Sequence, residues 1–267
     1  MEENSNVTSN TRKLPAFSIL KEAVLLPTKH WRMLIKAGIP IAAIMLIPAF
    51  LSEHSDPASW SGWQLIMAVF AALIWVIVVV AGIVACHRIF LLPHNEVENS
   101  RFFPLSGYEP YYIGWGLLLG LCTALINIPF SLILIPFIGT VAEDNVQHIQ
   151  LIALMLIAQL PVSYFTARWS LVLPAVAIGK RDLSLKWSWQ LSSGNGWRLA
   201  ALVCFLPMIL NAIQSFMPDY DSFVYTCLTT LIWLIIGSVQ VGLLSLSFAY
   251  LEAHQDAQDE HLIGQTG

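Results

Sequence analysis

"LIWVIVVVAGIVA", residues 73 to 85, contains no charge and no alternation of apolar and polar side chains. A strand of a membrane β-barrel alternates with period two over about ten residues, so this stretch reads as a helix. In hydrocarbon every backbone N–H and C=O must be paired within its own segment, and a helix meets that demand alone. Followed outward, the apolar run covers 64–86, enough to cross a hydrocarbon core of about 30 Å.

Five further runs of the same kind cover 34–52, 113–139, 149–173, 198–217 and 223–251. The composition agrees. The 267 residues are 57% hydrophobic and 11% charged, with mean hydropathy +0.67, whereas soluble domains are about a quarter charged. The expected fold is all-α, a polytopic membrane protein with one domain of six transmembrane helices over 15–251. Residues 1–14 are expected to form a disordered cytoplasmic N-terminus, and 252–267, with acids, two histidines and no basic residue, an acidic cytoplasmic tail. The polar start "MEENSNVTSNTRKLP" is not followed by the short apolar core and cleavage site of a leader, so the first span is expected to direct insertion.

The thirteen basic residues give the orientation. Arg12, Lys13, Lys21, Lys29, Arg32 and Lys36 precede or open the first span, and Arg88 and Arg101 lie between the second and third. Arg168, Lys180, Arg181, Lys186 and Arg198 lie between the fourth and fifth. The other connections, 52–63, 141–148 and 218–222, carry only acids and histidines. Short loops rich in Lys and Arg stay in the cytoplasm, so this partition puts both termini there and requires an even number of spans. The net charge of -4 argues against nucleic acid as a partner. Cys86, Cys122, Cys204 and Cys227 lie inside apolar runs without close spacing and read as small apolar side chains.

Amphipathic linkers introduce the spans in pairs. In "PAFSILKEAVLLPTKHW", 15–31, Phe17, Leu20 and Val24 share one helix side, Lys21 and Glu22 the other, and Pro27 is expected to interrupt it. In 181–197, Leu183, Trp187 and Leu191 are spaced by four and Gly194 supplies a helix stop. The aromatic-rich 102–112 suits the headgroup layer. Three linkers before three pairs predict three hairpins with cytoplasmic interfacial helices. The span starts "WRMLIKAGIP", "WRLAALVCFLP" and "YYIGWGLLLG" look alike, which is expected either of an internal repeat or of any span anchored by Trp and Arg at an interface.

Arg168 stands about one crossing after Ile149, where a long side chain reaches the inner interface, and Arg88 follows the second span at a comparable distance. Anchoring is the expected role of both. The alternative gathers His87, Arg88, Arg168 and Arg198 at a cytoplasm-facing pocket as a phosphate or headgroup contact. Uncharged polar residues inside spans, Asn127, Gln159, Ser163, Thr166, Asn211, Gln214 and Gln240, are expected to form interhelical hydrogen bonds. A sharper reading puts Asn127, Asn211 and Gln214 around a polar cavity near Pro129 and Pro207. Gly116, Gly120 and Ala124, and again Ser238 and Gly242, form small-residue rows that permit close helix approach.

The middles of the six runs hold no Asp, Glu, Lys, Arg or His, against proton or sodium coupling of the usual kind. No nucleophile elbow, zinc-protease motif or phosphate loop is present, so no catalytic residue, metal ligand or cofactor site is assigned. An enzyme reading needs His87, Arg88 and Arg168 beside a carboxylate such as Glu96 or Glu98.

The stretch "RWSLVLPAVAIGKRDLSLKWSWQLSSGNGWRLAALVCFLP", with "CHRIFLLP" after the second span, resembles uncharacterised bacterial six-span inner-membrane proteins. These include the membrane domain that precedes some glycerophosphodiester phosphodiesterases. The resemblance implies a bacterial inner-membrane address and no catalytic residue, because the phosphodiesterase chemistry of those fusions belongs to a separate soluble domain. The expected function is a non-enzymatic accessory or scaffold component, with membrane lipids and another membrane protein as partners. The alternative is a carrier or lipid-handling protein built on the polar cavity.

Overall fold

The computed structural model of the chain describes residues 13–54, 61–98, 105–138, 145–214 and 223–266; the side chains at 45–54, 98, 134–138, 145–153, 155–156, 211–214, 223 and 256–266 lie outside that description. Among the described residues every regular element is helical. In chain order these are α1 (Ala16–Lys29), α2 (Trp31–His54), α3 (Gly62–Leu91), α4 (His94–Glu98), α5 (Glu109–Ile138), α6 (Asn145–Trp169), α7 (Val172–Ala177), α8 (Leu185–Leu191), α9 (Gly196–Ala200), α10 (Leu206–Gln214) and α11 (Phe223–Thr266). A π-helical turn, Ala201–Phe205, joins α9 to α10. Pro207 has no N–H to offer the carbonyl four residues back, and Leu206 N–H bonds to Ala201 O, one residue farther than in an α-helix.

Among the described residues three helices are long and apolar enough to cross a membrane, over Gly62–Leu91, Glu109–Ile133 and Val224–Gln255. A fourth candidate is a bent pair, Leu185–Leu191 and Gly196–Leu210, which turns by 104° between its halves. Local chemistry sets the boundaries. Ser61 and Gln64 form a reciprocal capping box at the start of α3. Ser184 Oγ accepts from Trp187 N at 3.0 Å to start α8, and Gly194 takes φ +74° in the elbow after it.

Several expectations change. Pro27 does not interrupt α1, which runs through it to Lys29 and stops at His30; a proline in the last turn removes only one ladder bond. The stripe of α1 that packs within the chain is Ile19, Ala23 and Leu26, on a different side from Phe17 and Val24. Phe17 is 82% exposed. Both sides of α1 are partly apolar, and the side carrying Ala23 fits against Gly242 of α11, where an added Cβ would lie 3.7 Å from Ala23 Cβ and 3.0 Å from Leu26 Cδ1. Leu14, assigned to a disordered terminus, is fully buried in the largest core cluster. At the other end α11 carries the helix past the apolar run to Thr266, through "EAHQDAQDEHLI", in which good helix formers are common and neither Gly nor Pro intervenes.

The core sits at one end of the bundle. Leu14, α1, the last turns of α6, α7, the elbow around α8 and α9, and the second half of α11 share one cluster. Val84 of α3, Tyr112 of α5 and Val172, Val176 and Ala177 of α7 form a second one. The N-terminal half of α3, the flank of α5 and the first turns of α11 instead expose large apolar residues such as Trp63, Phe70, Leu117, Leu125, Val224 and Leu231. Most of the basic residues lie at or beside the packed end. That division suits a bilayer: lipid tails are as apolar as leucine, so burial within the chain is driven only where water reaches.

Candidate functional site

The last turn of α6 places Arg168 against the elbow that follows α8. The residue is buried, 6% exposed. Nε donates to Ser192 Oγ at 2.8 Å, Nη1 to Tyr164 OH at 3.1 Å and Nη2 to the Trp189 carbonyl. The guanidinium carbon lies 3.5 Å from the centroid of the Trp189 ring. Ser188 Oγ returns a bond to Arg168 O at 2.6 Å, and Ser192 Oγ one to Ser188 O at 2.9 Å. The result is a closed ring of hydrogen bonds fastening α6 to α8, in which carbonyl dipoles and an indole face stand where a carboxylate would usually be. Tyr164 also packs on Trp197 at 4.6 Å between centroids. A Cβ on Gly196 would lie 2.7 Å from the Tyr164 ring, so only glycine fits there.

Arg198 belongs to the same elbow. Its Nη1 donates to Leu14 O at 2.8 Å, and Leu14 N donates to Asn195 Oδ1 at 2.6 Å. Both polar groups of the Leu14 backbone are thus taken by the elbow, which straps the start of the described chain across it.

His87 and Arg88 stand at a second junction. His87 is 1% exposed. Its Nδ1 is 2.8 Å from Ser245 Oγ of α11, and its Nε2 is 3.2 Å from Tyr112 OH of α5. The single Ser245 hydroxyl proton goes to Val241 O at 2.8 Å. Both imidazole nitrogens are within hydrogen-bond reach of a hydroxyl partner. Arg88 Nη1 donates to Ala177 O at 3.2 Å, and its guanidinium lies 5.5 Å from the Tyr108 centroid. Gly179, at φ +85°, brings its backbone so close to Tyr108 that a Cβ would lie 2.6 Å from the hydroxyl. Glu109 closes the turn before α5 by accepting from Ser106 N and Gly107 N, both at 2.7 Å.

The four residues of the expected headgroup pocket are therefore divided between two junctions. Arg168 and Arg198 hold the α8–α9 elbow; His87 and Arg88 hold the meeting of α3, α5, α7 and α11. The two arginines that end apolar runs take different kinds of partner, Arg88 the Ala177 carbonyl and Arg168 two hydroxyls and the Trp189 carbonyl. The described ion pairs, Lys29 with Glu22 at 3.9 Å and Lys180 with Glu252, involve none of the four. Glu96 is exposed, and the side chain of Glu98 lies outside the described residues. No three of His, Cys, Asp and Glu among the described residues stand close enough to share a metal ion.

In the cavity reading, Asn127 meets α6: Gln159 Nε2 donates to Asn127 Oδ1 at 3.2 Å, and Thr123 and Thr166 hydroxyls lie 3.0 Å apart on the same seam. The side chains of Asn211 and Gln214 lie outside the described residues. Gln240 lines a small apolar pocket with Leu206, Leu210, Ile235, Val239 and Leu243. All four cysteines are free. Sequence reasoning missed Ser188, Ser192 and Asn195, and Ser245 of the second junction; the spacing of Ser188 and Ser192 by one turn, beside Trp189, was the available signal.

The class defined by these helices is an all-helical membrane protein of the multi-pass type. No family model, curated protein or solved structure matches the chain.

Proposed function

We propose that the chain is a non-enzymatic scaffold of a bacterial inner membrane, with six spans in three hairpins and both termini in the cytoplasm. One observation carries the reading: the polar groups best suited to chemistry are consumed in holding helices together. Arg168 spends three donors on α6 and α8, and both His87 nitrogens are taken by α5 and α11. What remains open is apolar flank on α3, α5 and α11, the kind of surface that lipid or another membrane helix covers. The helices α2 and α6, 24 and 25 residues long, supply the lengths that six crossings need, and the exposed Trp31, Tyr111 and Trp197 at the starts of α2, α5 and α9 suit an interfacial belt.

The test is native mass spectrometry of the protein extracted together with its surrounding lipid at natural expression level. A second protein released in fixed ratio supports the scaffold. A chain released alone with one lipid class retained, and that lipid lost in Arg198→Ala, replaces the scaffold with lipid handling.

A further inference from the structure

An amide pair lies in the α5–α6 seam. Asn127 lies eighteen residues into α5 and Gln159 fourteen into α6, each flanked by apolar neighbours such as Leu125, Ile128 and Ile157 that face outward. A single bond joins them, from Gln159 Nε2 to Asn127 Oδ1, and Ser131 Oγ lies 3.4 Å from the same oxygen. Two carboxamides joined by one N–H···O bond leave surplus donors on one and a surplus carbonyl on the other, whichever way each is turned. Here the surplus is the Asn127 Nδ2 hydrogens and Gln159 Oε1, for which no partner stands among the described residues. Both residues are only half-buried. In hydrocarbon, unpaired amide groups are costly, and polar side chains bond across helices where they can.

We infer that this seam is the interface for a second copy of the chain, in which Asn127 Nδ2 bonds to the partner's Gln159 carbonyl and the reverse bond forms across a two-fold axis. A two-fold interface must be self-complementary. A patch that carries one surplus donor and one surplus acceptor, and no charge to select a different partner, is complementary to itself. The approach is open: Gly116, Gly120, Ala124, Asn127 and Ser131 fall within about 80° of one another around α5 at 100° per residue. A Cβ placed on Gly116 or Gly120 would touch nothing. By contrast Gly242, in the other small-residue row, is covered by α1.

The inference rests on α5 and α6 crossing the membrane, so the experiment reads both. In a chain whose four cysteines are replaced by alanine, Ala124→Cys is treated in intact membranes with a short bifunctional thiol reagent, and separately with a membrane-impermeant maleimide. Expected are a cross-linked dimer, no reaction with the impermeant reagent, and no dimer from Leu125→Cys on the opposite side of α5. Adding Asn127→Leu to Ala124→Cys lowers the dimer yield at least tenfold; adding Asn127→Gln, which keeps the amide, restores it. The inference is overturned by a monomer, by cross-linking to a different protein, or by a yield indifferent to Asn127→Leu. Labelling of Ala124→Cys from the aqueous side overturns the spanning reading itself, and the dimer with it.

Discussion

At Arg168 an arginine is buried without a carboxylate, and its cost is met by geometry. Five donors in a rigid plane match a hydroxyl on one edge, a carbonyl on another and an indole below. Arg168→Met takes the donor from Ser192 Oγ and one of two donors from the Trp189 carbonyl, which keeps only the Ser192 hydroxyl at 3.1 Å, and is expected to destabilise the fold by about 3 kcal/mol. The readout is the thermal unfolding midpoint in detergent. Arg168→Lys is expected to fall nearly as far, because an ammonium cannot serve Ser192, Tyr164 and Trp189 from one plane; a Lys variant as stable as the wild type would show that charge alone holds the elbow. Gly196→Ala belongs with it: the new methyl meets the Tyr164 ring, and a loss of roughly 1–3 kcal/mol is expected from such overpacking. The sequence reveals a charge at a span end. It does not show whether that charge turns outward to phosphate or inward to a serine, because both settings suit the same residue at the same spacing.

Between elements, the joints show how much was legible. Unbroken apolar runs located α3, α5 and α11, and Gly194 marked the elbow because the turn needs a positive φ. Which face of α1 packs was not legible, since apolar residues lie on both sides and only the small Ala23 opposite Gly242 decides between them. Nor was the strap visible, because a lone leucine before Pro15 carries no periodicity. The joint between α1 and α2 is sensitive to pH. His30 stacks edge-on with Phe90 at 6.1 Å, and burial, then His94 and Lys29, pull its pKa below the ordinary 6.5. The folded state thus disfavours the protonated ring: its contribution is intact above about pH 6.5 and declines as pH falls through the lowered value. A ring titration followed by NMR in detergent should place His30 below 6.5, and Phe90→Ala, which opens the site, should bring it back up. Asn195→Ala tests the strap: amides of 14–20 should exchange with solvent faster, while those of α3 hold.

Across the whole molecule, packing is concentrated at the basic end and thins away from it. With Lys and Arg confined to alternate connections, cysteines introduced singly at 141–148 are expected to react with an impermeant maleimide from outside intact cells, and those at 93–98 only after lysis; the reverse pattern would invert the orientation. The Leu14 strap, finally, bears on timing. Its acceptor and donor are residues 195 and 198, and the helix that receives α1 is α11, so Leu14 and α1 have no place to settle until α11 has been made. At about 5–20 residues per second of synthesis, that leaves the first helix waiting on the order of ten seconds or more beside the ribosome exit. A chain stalled before Ser245 would have inserted its early spans yet left α1 and His87 without their seats.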